Sequence, residues 1–307
     1  MSNSSLSLYK KNYLLAAVLV FVGAILFSTK AIMVKLAYRH PVDPVSLLAL
    51  RMLFALPIYL SVAWFSKSKG NSPVRSKDYV YISLFGVMGY YVASLCDFLG
   101  LQYVTAGLER LILFIYPTLV VLISALFLSR PINKKQWLAL GLTYGGILIT
   151  FVDPYTMADN KNVWLGSSLI FVAALAYAVY LVGSGSMLPR IGTLRYTSLA
   201  MSAACIAVLV HHGIAAGWQL FHFTAPVYWL ALMMAILATV LPSFLIMEGI
   251  RVVGSSNGSI IGSVGPISTI VLAYIFLDER FGYLQWIGTL LVIGGVLIIS
   301  LDKHRQK

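Results

Sequence analysis

Glu109 and Arg110 stand side by side in the run LQYVTAGLERLILFIYPTLVVLISALFL, residues 101–128, which is otherwise almost wholly apolar. A charge carried into hydrocarbon is costly unless it is paired, so such residues are expected to face a protein interior and carry function. Three more ionic side chains sit in similar surroundings: Lys30 in FSTKAIMVKLAY, Arg51 in LALRMLFALPI and Asp97 in YYVASLCDFLG. Two acids and three bases of this kind have two chemical uses. They can pin helices together as an ion-pair network, or a carboxylate among them can take up a proton or hold a cationic group of a substrate. Adjacent residues project about 100° apart on a helix. Glu109 and Arg110 are therefore expected to look at different partners, one toward a pathway and one toward a neighbouring helix. For Lys30, pairing with Asp97 and pairing with a substrate carboxylate both remain open.

The elements that must position these residues follow from composition. The chain has 307 residues, 60% of them hydrophobic and 10% charged, where a soluble domain carries about 25% charged residues. That excludes a soluble enzyme. A span needs roughly 20 apolar residues, and the chain has room for about ten. Apolar runs bounded by loop signals fall at 13–38, 45–65, 79–100, 106–128, 134–152, 163–186, 195–213, 226–247, 254–277 and 283–301. The expected class is an all-α polytopic membrane protein of ten helices. Cys96 and Cys205 lie in apolar runs of different halves and imply no disulfide framework.

The net charge of +12 lies in short loops, not along a helix face, and no nucleic-acid partner is expected. With the N-terminus inside, the inner loops and ends collect Lys10, Lys11, Lys67, Lys69, Arg75, Lys77, Arg130, Lys134, Lys135, Arg190, Arg195, Arg251, Lys303, Arg305 and Lys307. Only Arg39, Lys161 and Arg280 fall outside. The positive-inside rule then places both termini in the cytoplasm, which requires an even number of spans.

Setting residue i against i+149 aligns 102–153 with 251–302 without a gap: Pro117 falls on Pro266, Gln136-Trp137 on Gln285-Trp286, Gly145-Gly146 on Gly294-Gly295 and Asp153 on Asp302. The chain reads as two five-helix units, 1–155 and 156–307. Five is odd, so the second copy enters the membrane from the opposite side, an inverted repeat of the kind that encloses a midplane site between its halves.

The segments FSTKAIMVKLAY, LALRMLFALPI, LERLILFIYPTLVVL and GPISTIVLAYIFLDERFGYLQWIGTLLVIGGVLI together resemble the EamA-type transporters of the drug/metabolite transporter superfamily. The resemblance implies ten helices, a central cavity lined by spans 1, 3, 4, 6, 8 and 9, peripheral spans 5 and 10, and movement of small metabolites. Family repeats often close the fourth and ninth spans with a Leu-Gly-Glu-Arg-like turn. Here the second copy has Leu277-Asp278-Glu279-Arg280 and the first Leu128-Ser129-Arg130-Pro131, so no chemistry is placed on that turn.

Substrate-pathway or coupling candidates are Lys30, Tyr90, Asp97, Glu109, Tyr116, Tyr177 and Asn257. The tyrosines lie within spans and can offer stacking or cation–π contact; Asn257 stands in GSSNGSIIGSVGP, where small residues serve close packing, a polar lining, or both. Gating or structural candidates are Arg51, Arg110, Pro117 and Pro266, each proline removing a helical hydrogen bond at a matched position. His211 and His212 are expected at the interface. No HExxH pair, glycine-rich phosphate loop or GxSxG elbow is present. The reading is a secondary transporter with no cofactor and no metal, exporting small organic solutes such as amino-acid-like zwitterions through a cytoplasmic membrane by alternating access. The partners are solute and lipid, with a homodimer admitted. The alternative is a non-transporting sensor or a lipid flippase-like accessory on the same scaffold.

Overall fold

The computed structural model describes residues 3–66, 75–127, 129, 131–153, 162–185, 187–253, 258 and 261–302. Among these all regular structure is helical. The helices are α1 (Asn3–Ala37), α2 (Pro44–Phe65), α3 (Ser76–Gly86), α4 (Ala93–Gly100), α5 (Ala106–Leu113), α6 (Tyr116–Phe127) and α7 (Lys134–Val152), followed by α8 (Val163–Ser184), α9 (Leu188–Ile191), α10 (Thr193–Ala216), α11 (Ala225–Ala235), α12 (Leu241–Val253), α13 (Val264–Leu277) and α14 (Tyr283–Asp302). Short π-helical segments, Val87–Val92 and Ile236–Val240, join α3 to α4 and α11 to α12. Among the described residues, eight helical stretches are long and apolar enough to cross a bilayer. Two of the ten expected spans differ: 134–152 forms α7, which is not among the eight, and 254–277 is represented by the shorter α13.

The helix starts are written locally. Asp43 accepts the Ser46 N–H at 2.9 Å, with Pro44 in the first turn of α2. Asn133 and Gln136 form a reciprocal box on α7, at 2.9 and 3.0 Å. Both devices satisfy amide donors that no earlier turn can reach. The two prolines act differently from a bend inside a continuous span. The chain breaks at Phe114 and Ile115, and Pro117 lies in the first turn of α6; it breaks again at Ser263, and Pro266 lies in the first turn of α13. A first-turn proline lacks only a donor that would be unsatisfied anyway.

Local irregularities recur at the spacing of 149. Val87 and Ile236 open the two π-helical segments, Phe114 and Ser263 mark the two breaks, and Ser129 and Asp278 both adopt positive φ, at 51° and 58°. Helices α7 and α14 pack on each other antiparallel: Asp153 at the end of α7 accepts the Gln285 N–H at the start of α14, 3.2 Å away. Their contact is made twice. A Cβ at Gly146 would lie 2.6 Å from the Gly288 carbonyl oxygen, and one at Gly295 would lie 2.6 Å from that of Ala139. Gly146 and Gly295, like Ala139 and Gly288, are 149 apart.

Two packing groups result. Helix α1 packs chiefly against α12 and α13, while α8 packs against α4, α5 and α6. Helices α2 and α10 lie against each other. The largest apolar core joins α1, α2, α10 and α11 around Leu47, Leu50, Met52, Tyr59, Met201 and Met234.

Candidate functional site

Lys30 on α1 is the hub. Its Nζ donates to Asp97 Oδ2 at 2.6 Å and to Glu109 Oε1 at 3.0 Å. Asp97 comes from α4 and Glu109 from α5, so the ammonium ties the α1 group to the α8 group at one point. All three residues are at most 5% exposed. Asp97 Oδ1 and Glu109 Oε2 are buried without a partner. Two carboxyl groups therefore share one ammonium.

Arg110, one residue along, turns away from this bond. Its guanidinium lies over the Phe27 ring, 5.1 Å from the centroid, and presses on Gly265 of α13, where a Cβ would come within 2.7 Å of Nη2. Arg51 donates from Nε to Thr239 Oγ1 at 2.8 Å and stacks over Phe98 at 5.5 Å. Thr239 is held by the π-helical turn, donating in its turn to Met234 O five residues back at 2.9 Å.

The tyrosines gather beside the charges. Tyr116 and Tyr177 rings are 5.1 Å apart, Tyr90 and Tyr177 6.3 Å, and Tyr90 and Tyr180 4.9 Å. Tyr180 also stacks toward Tyr196 at 6.2 Å. Tyr90, Tyr116 and Tyr177 are half-buried, whereas Tyr180 and Tyr196 are buried. Tyr90 sits in the first π-helical segment and Thr239 in the second, 149 residues on; such bulges rotate side chains out of helical register and are frequent at functional sites.

Three contacts close the end of the bundle that carries these charges. Besides the Lys30 bonds, the Tyr38 hydroxyl just past α1 donates to Phe98 O at 2.7 Å. Burial, then the nearby Asp97 and Asp43 carboxylates, hold that phenol above its usual range, so it stays a donor. Glu279, past α13, accepts the N–H groups of Ala106 and Gly107 at 2.7 and 3.2 Å and so caps α5, the helix bearing Glu109 and Arg110. Burial raises the Glu279 carboxyl above its ordinary range, against the opposing pull of those two donors and of Lys35.

The structure thus brings Lys30, Asp97 and Glu109 into one bonded cluster, sets Arg110 and Arg51 close by without joining them to it, and assembles Tyr90, Tyr116 and Tyr177. Pro117 and Pro266 start helices beside it. Asn257 lies outside the described residues. Sequence reading missed Glu279, Thr239 and Tyr196, and it placed His212 at the interface. That histidine is fully buried, its Nε2 hydrogen-bonded to Ser46 Oγ at 3.0 Å, because α2 covers this face of α10. Glu279 carried one signal: it is an acid in a turn whose first-copy counterpart is basic.

The EamA-like transporter family profile matches twice, over residues 14–152 and 164–301. The chain belongs to this family. As an EamA-like protein it is a multi-span membrane protein of a transporter family, which points away from an enzyme. The uncharacterized transporter YcbK of Bacillus subtilis is 29% identical over 294 residues, covering 94% of this chain and 93% of its own. The uncharacterized inner membrane transporter YicL of Salmonella typhimurium is 24% identical over 268 residues, covering 84% and 85%. One solved structure superposes with a TM-score of 0.63 at 15% identity, over 95% of this chain and 98% of the other, a likeness of fold alone.

Proposed function

We propose that this EamA-like protein is a secondary transporter that exports small organic metabolites, amino-acid-like or otherwise amphipathic, across the cytoplasmic membrane by alternating access. It has ten spans in two inverted halves, 1–155 and 156–307, with both termini in the cytoplasm. The reciprocal Gly146 and Gly295 contacts across antiparallel α7 and α14 support that arrangement, since a two-fold axis relating antiparallel helices lies across them. Such an axis lies in the membrane plane and relates inward-open to outward-open forms.

The observation that carries the reading is the bond from Lys30 to both Asp97 and Glu109. It joins the α1–α12–α13 group to the α4–α5–α8 group at the end where Tyr38 and Glu279 also cross. Rocking these groups apart opens that end, and the shared ammonium must then leave one carboxylate. A proton on Glu109 removes its charge as Lys30 departs, which avoids stranding a buried ion. This gives a route for coupling a proton gradient to the outer gate.

Purified protein in proteoliposomes should show saturable counterflow of a solute found by thermal-stabilisation screening, since a ligand that binds only the folded form raises its apparent stability. Glu109→Gln should abolish the flux or its pH dependence while leaving folding largely intact. An unchanged flux and pH profile in that variant would end the coupling role. Ligand binding without any flux would favour a sensor.

A further inference from the structure

Lys30, Arg51 and Arg110 are buried within the spans with Asp97 and Glu109, and Asp153 is buried at the end of α7. Asp97 and Glu109 are engaged by Lys30; Arg51 donates from Nε to Thr239 Oγ1, with its Nη1 buried and unpartnered. Arg110 is the least engaged of the three bases. It is 8% exposed, its Nε is buried without a partner, and among the described residues no carboxylate or carbonyl accepts from it. Its surroundings are the Phe27 face, the bare Gly265 backbone and, as polar neighbours, Glu109, Tyr116, Asp97 and Tyr177. Glu109 and Asp97 attract it without accepting a hydrogen bond from it, a buried N–H left unfilled is costly, and five N–H donors in a planar fork match a carboxylate.

We infer that Arg110 anchors the carboxylate of the substrate, whose apolar or aromatic body lies against Tyr116 and Tyr177. This rests on the transporter reading above and narrows it: the solute carries a carboxylate, and a neutral or purely cationic solute does not fit. A bound carboxylate fills the unpartnered Nε–H of Arg110. Gly265 has a part in this, because any side chain there would occupy the place of Nη2. Arg110 touches Phe27 of α1 and Gly265 of α13 from its seat on α5, so the bound carboxylate sits at the seam between the two packing groups.

The test uses the full-length protein in detergent and three probes that share one body: phenylpropanoate, phenylpropanamide and phenylpropylamine. Phenylpropanoate should raise the unfolding midpoint saturably, and the amide and amine should not. Arg110→Gln should weaken the phenylpropanoate response roughly ten- to hundredfold, the range expected for losing a charge-assisted bidentate contact. Arg110→Lys should retain part of it, and Gly265→Ala should weaken it with the charge intact. The inference is overturned if wild type fails to respond to phenylpropanoate, if the amide or amine stabilises equally, or if folded Arg110→Gln responds as wild type. Should Arg110→Gln not fold, an undiminished response in both Arg110→Lys and Gly265→Ala overturns it. Counterflow separates the two readings. Phenylpropanoate binding that Arg110→Gln abolishes, with no flux in wild type, keeps the anchor and removes transport; flux of the amine that Arg110→Gln leaves intact does the reverse.

Discussion

Lys30 holds two acids that belong to other helices, and the cost of losing it is set by what it leaves behind. Lys30→Met strands two buried carboxylates and should destabilise the protein by ~3–5 kcal/mol, as breaking buried ion pairs from one side does. Adding Asp97→Asn and Glu109→Gln should recover most of that loss, read as the unfolding midpoint in detergent; no recovery would mean that Lys30 acts through packing alone. Glu279 makes a pH-dependent prediction. Its carboxyl is raised by burial when it caps α5, and in an open form it would meet water at its ordinary value. The closed form thus holds the proton more tightly, so closure is favoured below the ordinary carboxylate range and that contribution is lost as pH rises through the raised value. Spin labels at Gln102 and Tyr283 should show the short-distance population growing as pH falls, and Glu279→Gln should flatten the profile. At this scale the sequence was legible for Lys30, Asp97 and Glu109, because hydrocarbon makes unpaired charge expensive and so forces such residues together. It was silent on Glu279 and His212, whose partners lie 172 and 166 residues away. No local pattern encodes a contact of that reach.

Among the elements, α7 and α14 are joined by backbone approaches that only glycine permits. Gly295→Val would push its side chain into the Ala139 carbonyl and should cost ~1–3 kcal/mol of stability, as overpacking does. The phenylpropanoate response should not change, since neither helix supplies a residue assigned to the carboxylate or its apolar body; a lost response would instead place these helices in the site. The two π-helical segments put Tyr90 and Thr239 at equivalent places, one among the tyrosines and the other under Arg51. The scaffold is repeated and its chemistry is not: Lys30, Asp97 and Glu109 stand opposite Val179, Ile246 and Gly258 at the spacing of 149. The matched prolines and glycines made the repeat legible. The π-helical turns were not, because a single inserted residue leaves hydrophobic periodicity nearly unaltered.

For the whole molecule, the loop charges make orientation testable. In a cysteine-free background, cysteines placed at Ser2 and Gln306 should react with an impermeant maleimide only in opened membranes, while one at Phe221, 86% exposed, should react in intact right-side-out vesicles. Reaction at all three from outside would reverse the topology. The way α1 and α8 are shared between the halves bears on how the chain is made. Helix α1 finds its principal neighbours, α12 and α13, only after some 240 further residues have been synthesised. Until then a lysine-bearing segment waits in the bilayer without the surface it will rest on. A nascent chain halted after α7 would lack α8 as well, leaving an apolar slot between α4 and α6 for lipid or another chain to fill. Biogenesis is thereby committed to late closure, and insertases or holding factors have their longest window on the first helix to emerge.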